Sequence, residues 1–219
     1  MSAACRAPLR SNPVNRTKRP PRTGRRTRRT ALLGAGAALA ALVLTACGSG
    51  GTSGGGGDTN FVTGKNGIDT VTRGKRTAVP DLSGATIDGK SADIADYKGK
   101  VVVINVWGSW CSPCRAEGPY FAKVSQAYAD RGVQFLGINT RDTSTTPAVS
   151  FEKQLGITYP SLYDPTGKLM LRFAKGTLNP QLIPSTLVVD RDGKIAARAL
   201  EALSEENLVK MIKPVLAEK

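Results

Sequence analysis

The run Val101-Val102-Val103-Ile104-Asn105-Val106-Trp107, with Cys111-Ser112-Pro113-Cys114 four residues beyond it, constrains this chain more than any other feature. A continuous apolar, β-branched run marks a strand buried on both faces, and such strands belong to sheets covered by helices. From residue 113 to 131 the apolar period changes. Tyr120, Phe121, Val124, Ala127 and Tyr128 fall at i, i+3 and i+4 spacings, and Gly132 stops the pattern. A pair of thiols therefore sits where a buried strand hands over to a helix.

The remaining elements alternate in kind. Residues 133–139 read as a strand, residues 147–155 as a helix ended by Gly156, and residues 185–189 as another strand. Asp190-Arg191-Asp192-Gly193-Lys194 has hairpin turn chemistry, with residues 195–200 as the partner strand. A last amphipathic helix starts near Ser204, with Glu205 and Glu206 in its first turn and Leu208, Met211, Ile212 and Leu216 on its apolar side. Upstream, Thr86-Ile87-Asp88-Gly89-Lys90 suggests an extra N-terminal hairpin. The expectation is a single α/β domain over residues 77–219, built on a mixed sheet, with no internal repeat.

Charge is unevenly placed. Of the 31 Lys and Arg residues, ten precede Thr30, and residues 1–57 contain no acid. Everything after that segment carries 21 basic against 17 acidic side chains. A nucleic-acid binder shows its basic excess as a patch on the folded domain, so composition gives no support for a nucleic-acid partner. Residues 31–46 then run for sixteen positions without a charge. A spanning helix needs about 20 apolar residues, and the shorter length suits the h-region of a signal peptide behind a basic n-region. An uncleaved N-terminal membrane anchor is the alternative. Gly48-Ser49-Gly50-Gly51-Thr52-Ser53 and the glycines 54–57 open a polar stretch reaching Arg76. Residues 47–76 are accordingly expected to be a flexible tether, spanning about 30 Å root-mean-square.

The cysteines are Cys5, Cys47, Cys111 and Cys114, and there is no histidine. Cys5 lies in the leader. A structural disulfide stabilises more as its loop lengthens, and a two-residue spacer closes almost nothing. A zinc site would need a second Cys pair or His ligands. A redox dithiol is what remains for Cys111 and Cys114, and it needs no metal and no cofactor. At a helix start, unpaired N–H groups and the dipole stabilise the first thiolate. The second thiol, one turn in, can resolve a mixed disulfide. Pro113 suits the first helical turn, where its missing N–H costs nothing. Cys111 is thus the candidate nucleophile and Cys114 the candidate resolving thiol.

Two resemblances sharpen this reading. Leu44-Thr45-Ala46-Cys47-Gly48 resembles the lipobox of bacterial lipoproteins. That likeness implies cleavage before Cys47 and a diacylglyceryl group on its sulfur, so that lipid anchors the domain to the outer face of the cell membrane. Thr27-Arg28-Arg29-Thr30-Ala31-Leu32 loosely resembles a twin-arginine export signal, and the general secretion route stays open beside it.

Residues from about 78 to 219 resemble the thioredoxin fold, specifically the extracytoplasmic ResA/TlpA/DsbE-like branch of the AhpC/TSA-redoxin superfamily. The likeness rests on N-V-W-G-S-W-C-S-P-C-R-A-E-G-P at 105–119, on Ile183-Pro184-Ser185-Thr186 and on the D-x-D-G-K turn. It implies a central mixed sheet flanked by helices. It also makes Pro184 the family's cis-proline, turning the Ile183 backbone toward the dithiol to pair with a bound client segment, with Trp110 and Pro113 supporting the site. Asn105 stands where typical thioredoxins hold a buried Asp as proton acceptor, a task an amide cannot perform. Glu117, three residues after Cys114 on the same helical face, matches the Glu of the ResA-like branch. Its expected task is to manage the proton of the dithiol, with its carboxyl near the sulfurs and its pKa raised by partial burial and a nearby thiolate.

ResA-like relatives reduce the C-x-x-C of apocytochrome c before haem attachment, drawing electrons from a membrane thiol carrier of the CcdA/DsbD type. The first expectation is therefore a membrane-tethered protein-disulfide reductase acting on apocytochrome c or other exported Cys-containing proteins. DsbE-like lipoproteins of high-GC Gram-positive bacteria instead form disulfides in secreted proteins, and the Ala/Arg/Gly-rich bias fits such a genome. Ser112-Pro113 does not fix the direction. A Cu(I)-binding module would use the same two thiolates, but copper carriers of related fold add a distal His that this chain lacks. A peroxiredoxin-type peroxidase would carry Pro-x-x-x-Thr-x-x-Cys ahead of the pair, and none is present.

Overall fold

A computed structural model describes residues 59–218, all within the unit Gly48–Lys219. The expected signal peptide, Cys47 and the glycine run 54–57 lie outside the described residues. In chain order the elements are β1 Val62–Thr63, β2 Ile68–Thr70, β3 Ser83–Ala85, β4 Ser91–Asp93, β5 Val101–Trp107 and α1 Ser112–Tyr128. They continue as β6 Val133–Thr140, α2 Thr145–Leu155, β7 Ser161–Asp164, β8 Ser185–Val189, β9 Ile195–Ala199 and α3 Glu205–Ala217. One sheet runs β1-β2-β9-β8-β5-β6-β7, while β3 and β4 form the separate N-terminal hairpin expected around Gly89.

The strand β5 organises the sheet. It pairs in parallel with β6, through the crossover that α1 supplies, and antiparallel with β8. All seven of its residues are buried. Val101, Val103 and Trp107 join the core that contains Phe121 of α1, Phe151 of α2, and Leu208 and Ile212 of α3. Val102, Ile104 and Val106 point into the opposite core, with Leu136, Ile138, Leu187 and Phe173. A strand with a core on each face has to be apolar throughout, which is why its sequence lacks alternation. Burial of a side chain such as Phe121 contributes about 1.5–3 kcal/mol. α3 begins at Ser204, whose Oγ accepts from the N–H of Asn207. No helix among the described residues is long and apolar enough to cross a membrane.

One boundary needs correction. Residues 59–76, assigned to the tether from their polar composition, continue the main sheet. β2 pairs antiparallel with β9, Ile68 opposite Ala199 and Thr70 opposite Ala197, and β1 pairs with β2. Tertiary contacts hold these short strands. Phe61 and Val71 are buried, the Arg198 guanidinium lies 4.1 Å from the centre of the Phe61 ring, and Arg198 Nε is 2.8 Å from Asp69 Oδ2. Arg76 is fastened to Glu218 and Asp190, tying this segment to the end of α3 and the β8–β9 turn. The short strand β7, which carries no sequence periodicity, completes the far edge beside β6.

The topology also places the site. β5 and β6 are parallel, and in open α/β sheets ligands bind beyond the carboxyl ends of the parallel strands. The carboxyl end of β5 leads into Cys111. Ser185, at the start of β8, lies opposite Val106, so the Ile183-Pro184 segment arrives at the same end of the sheet.

Candidate active site

Cys111 is the N-cap of α1, and Pro113 sits in its first turn. The Cys114 N–H donates to Cys111 Sγ at 3.2 Å. An unpaired helix-start N–H aimed at sulfur is the arrangement that stabilises a thiolate there. Cys111 and Cys114 are joined as a disulfide and keep only 4% and 2% of their surface exposed. The Ile183–Pro184 peptide bond is cis, and the Ile183 carbonyl oxygen lies 3.8 Å from Cys111 Sγ. The residues 111, 114, 183 and 184 that the sequence nominated are thus brought together.

The inner side of the pair is closed. Glu117, one turn beyond Cys114 on the buried face of α1, is 2% exposed. Asn105 Nδ2 donates to its Oε1 at 2.9 Å, and the Leu203 N–H donates to its Oε2 at 2.9 Å. Asn105 also reaches Thr186 Oγ1 at 3.4 Å. Burial pushes the Glu117 carboxyl up to about 7, although the bonds from Leu203 and Asn105 pull the other way. One expectation is refined here. Both oxygens of Glu117 are held by nitrogen donors, and among the described residues no hydrogen bond joins the carboxyl to a sulfur. Asn105, which cannot accept the proton, instead orients the group that can. Thr186 and the Leu203 backbone are partners that no local signal announces, since they come from β8 and from the loop before α3.

The outer side is open. Trp110 is 54% exposed and Leu182 52% exposed, flanking Cys111 and Ile183 in sequence. The Trp110 indole folds back over Gly108, where a Cβ would come within 2.8 Å of Trp110 Nε1, so a larger residue there would displace the indole. The loop carrying Trp110 is pinned to β6. Asp142 accepts from the Ser109 N–H at 2.9 Å, from Ser109 Oγ at 2.5 Å and from Asn139 Nδ2 at 2.6 Å. The Arg141 guanidinium carbon lies 4.8 Å from the centre of the Trp110 ring. Sequence reasoning missed Ser109, Asn139, Arg141 and Asp142. A cavity of about 450 Å³ lined by Val79, Ile94, Tyr97, Val102 and Val189 lies at the amino end of β5, away from the dithiol. The dithiol thus lies between an exposed face formed by Trp110 and Leu182 and a buried carboxyl.

Comparison with known proteins agrees with this geometry. The Redoxin family model matches residues 74–212. The thiol:disulfide interchange protein HelX of Rhodobacter capsulatus is 34% identical over 155 residues, covering 69% of this chain and 81% of that protein. The thiol-disulfide oxidoreductase ResA of Bacillus anthracis is 28% identical over 136 residues, covering 62% of this chain and 75% of that protein. Among solved structures, a DsbF homologue from Corynebacterium diphtheriae is 36% identical, with a TM-score of 0.64, covering 69% of this chain and 94% of its own. A secreted thiol-disulfide isomerase from Corynebacterium glutamicum is 28% identical with a TM-score of 0.66, covering 74% of this chain and 100% of its own.

Proposed function

The chain belongs to the Redoxin family and is a thiol-disulfide oxidoreductase; on that premise we propose that Cys111 and Cys114 reduce disulfides of exported C-x-x-C proteins, apocytochrome c first among them. The observation that carries this reading is the capped Cys111 sulfur facing the Ile183 carbonyl, with Glu117 buried one turn behind Cys114. In the reduced protein the Cys111 thiolate attacks one sulfur of the client disulfide. A mixed disulfide forms and the other client sulfur leaves as a thiolate. Cys114 then loses its proton and attacks Cys111 Sγ, expelling the second client thiolate and closing the Cys111–Cys114 bond. Two electrons pass to the client, and a membrane thiol carrier of the CcdA/DsbD type restores the dithiol. Glu117 holds or releases the proton that Cys114 exchanges, through the polar group it forms with Asn105. Ile183 and Pro184 present backbone to the client strand.

In this reading the protein works from the outer face of the cell membrane, anchored by lipid on Cys47. Metabolic labelling with a fatty acid should mark the wild type and not Cys47→Ser. A labelled Cys47→Ser protein would instead support an uncleaved anchor.

The likeness to the corynebacterial DsbF homologue and secreted isomerase favours a second reading, in which the protein forms disulfides in secreted proteins. The reduction potential separates the two. A value near the about −270 mV of thioredoxin supports the reductase, and one near the about −120 mV of DsbA supports the oxidase. Loss of holo-cytochrome c in a strain lacking the protein, restored by an added dithiol, would tie the reductase to that client; normal cytochrome c would remove apocytochrome c from the proposal.

A further inference from the structure

The chain enters the folded domain at the end of the sheet farthest from the dithiol. β5 runs toward Cys111 and β8 runs against it, so the β8–β9 turn at 190–194 lies at the amino end of β5. β9 returns toward the dithiol end, β2 runs against β9, and β1 runs against β2. Val62 therefore pairs with Thr70 on the side nearer that turn, and the residues before Val62 lie farther toward it. The contacts agree. Asn60 Nδ2 donates to the Lys75 carbonyl oxygen at 3.2 Å, and Arg73 Nη2 lies 3.6 Å from Asp192 Oδ2 in the turn. The twelve steps of chain from Cys47 to Thr59, fully extended, span at most about 40 Å. Whatever holds Cys47 thus keeps this end of the domain close.

The surface at this end is both apolar and basic. Val79, Ile94, Val102 and Val189 wall the cavity of about 450 Å³, with the half-buried Tyr97 beside them. Lys98 and Lys100 line the same cavity, are exposed, and pair with no carboxylate among the described residues. Arg191, also in the lining, donates to the Glu218 and Leu216 carbonyl oxygens rather than to a carboxylate. The acids of the wall are already matched, Asp190 by Arg76 at 2.8 Å and Asp192 by Arg73. Asp96 in the neighbouring turn is exposed and opposes the three cations, which leaves the rim net positive.

We propose that this end of the domain is a docking surface for an anionic phospholipid membrane, with Lys98, Lys100 and Arg191 on headgroup phosphates and the apolar cavity walls against the acyl carbons beneath. This rests on the membrane anchoring proposed above and gives the anchored domain an orientation, with the dithiol turned away from the bilayer. A ring with a polar tip, such as Tyr97, suits the interface between headgroups and acyl chains. Each cation near an anionic surface strengthens the contact about fivefold. Three are a weak membrane ligand alone, but a short tether makes the contact intramolecular and raises its effective concentration. The same weakness lets the domain lift off to meet a membrane thiol carrier.

The test uses the full protein, purified from membranes and inserted into the outer leaflet of vesicles. One set is phosphatidylcholine alone and the other is phosphatidylcholine and phosphatidylglycerol in equal parts. Amine-reactive labelling, read by mass spectrometry, compares Lys98, Lys100 and Lys194 with Lys65, which is exposed in the β1–β2 turn at the dithiol end of the sheet. On anionic vesicles the first three should react about fivefold more slowly than on neutral ones, with Lys65 equal on both. High salt should abolish the difference. Lys98→Glu combined with Lys100→Glu should restore fast labelling of Lys194 and leave kcat/KM for a dissolved disulfide peptide unchanged. Equal labelling on the two vesicles, or protection that persists in the double variant, overturns the proposal. Protection that is the same on neutral vesicles also overturns it, because the protein's own acyl chains then fill the cavity. The intact mass reports acylation of Cys47 separately. Acylated protein without protection refutes docking and leaves the anchor standing, whereas protection without an acyl group removes the lipid anchor and keeps the docking surface.

Discussion

The two sides of the Cys111–Cys114 bond are built on opposite principles. Behind it, Glu117, Asn105, Thr186 and the Leu203 N–H form a buried group in which the Glu117 carboxyl has a partner for each oxygen. In front of it, Trp110 and Leu182 lie open to solvent. The contrast follows from the two tasks of an exchange site. A proton must be held by a group whose affinity is set by fixed, dry surroundings, so that it titrates near the working pH. A client must find exposed apolar area, and must be able to leave again. The dithiol sits at the seam, with Cys114 toward the first environment and Cys111 toward the second.

The largest effects should come from dividing the pair. Cys111→Ser should reduce exchange to the uncatalysed background, whereas Cys114→Ser should accumulate mixed disulfides through Cys111, read by non-reducing mass spectrometry. A client trapped through Cys114 in the Cys111→Ser protein would exchange the two roles and reverse the comparison.

Next comes the inner carboxyl. The folded value of Glu117 near 7 stands above its ordinary 4.5 because burial disfavours the charged form. Between those pH values the folded protein keeps a proton that the unfolded chain has released. The contribution is therefore fully present below about 4.5 and is lost as pH rises through about 7. Relative to Glu117→Gln, the oxidised wild type should lose roughly 3 kcal/mol of stability across that window. Glu152, also raised to about 7 by burial, is present in both proteins and cancels. Denaturant curves at pH 4 and pH 8 measure the difference, and equal shifts in both proteins would mean that Glu117 titrates alike in the folded and unfolded chains.

Asn105→Ala should cost about 1–3 kcal/mol, the size of a buried polar partner left unmet, and should raise the Glu117 titration further. A variant as stable as the wild type, with unchanged titration, would make the Asn105 bond incidental. On the open side the expectation inverts. Trp110→Ala should change stability by no more than about 0.5 kcal/mol, as for an exposed position, while raising KM for a C-x-x-C peptide severalfold. Should Trp110→Ala unfold the protein instead, the front face is packing rather than recognition.

The same division governs how much of the molecule is legible in its sequence. β5, α1, the β8–β9 hairpin and α3 are long or periodic, with caps and turns at the right places, so the α/β fold and the position of the dithiol can be read directly. β1 and β2 cannot, because Val62-Thr63 and Ile68-Asp69-Thr70 have too few residues to show a period and depend on β9 for their pairing. In the site, the spacing of Cys111, Cys114 and Glu117 is a helical-face argument and needs only local sequence. The second donor to Glu117 comes from Leu203, 86 residues away, through a backbone N–H that any residue type would supply. Arg141 over Trp110 is equally invisible, because it depends on where the end of β6 meets the loop after β5.

The most direct measurement is the titration of the Glu117 carboxyl itself, followed by carbon NMR on selectively labelled protein in its oxidised and reduced forms, with Glu117→Gln to assign the signal. A proton-handling interior requires a midpoint near 7 in the oxidised protein, set by burial. It also requires an upward shift on reduction, when a thiolate can form one turn away at Cys114. A midpoint near the ordinary 4.5, the same in both redox states, would show a carboxyl that neither feels burial nor communicates with the dithiol, and would contradict the account.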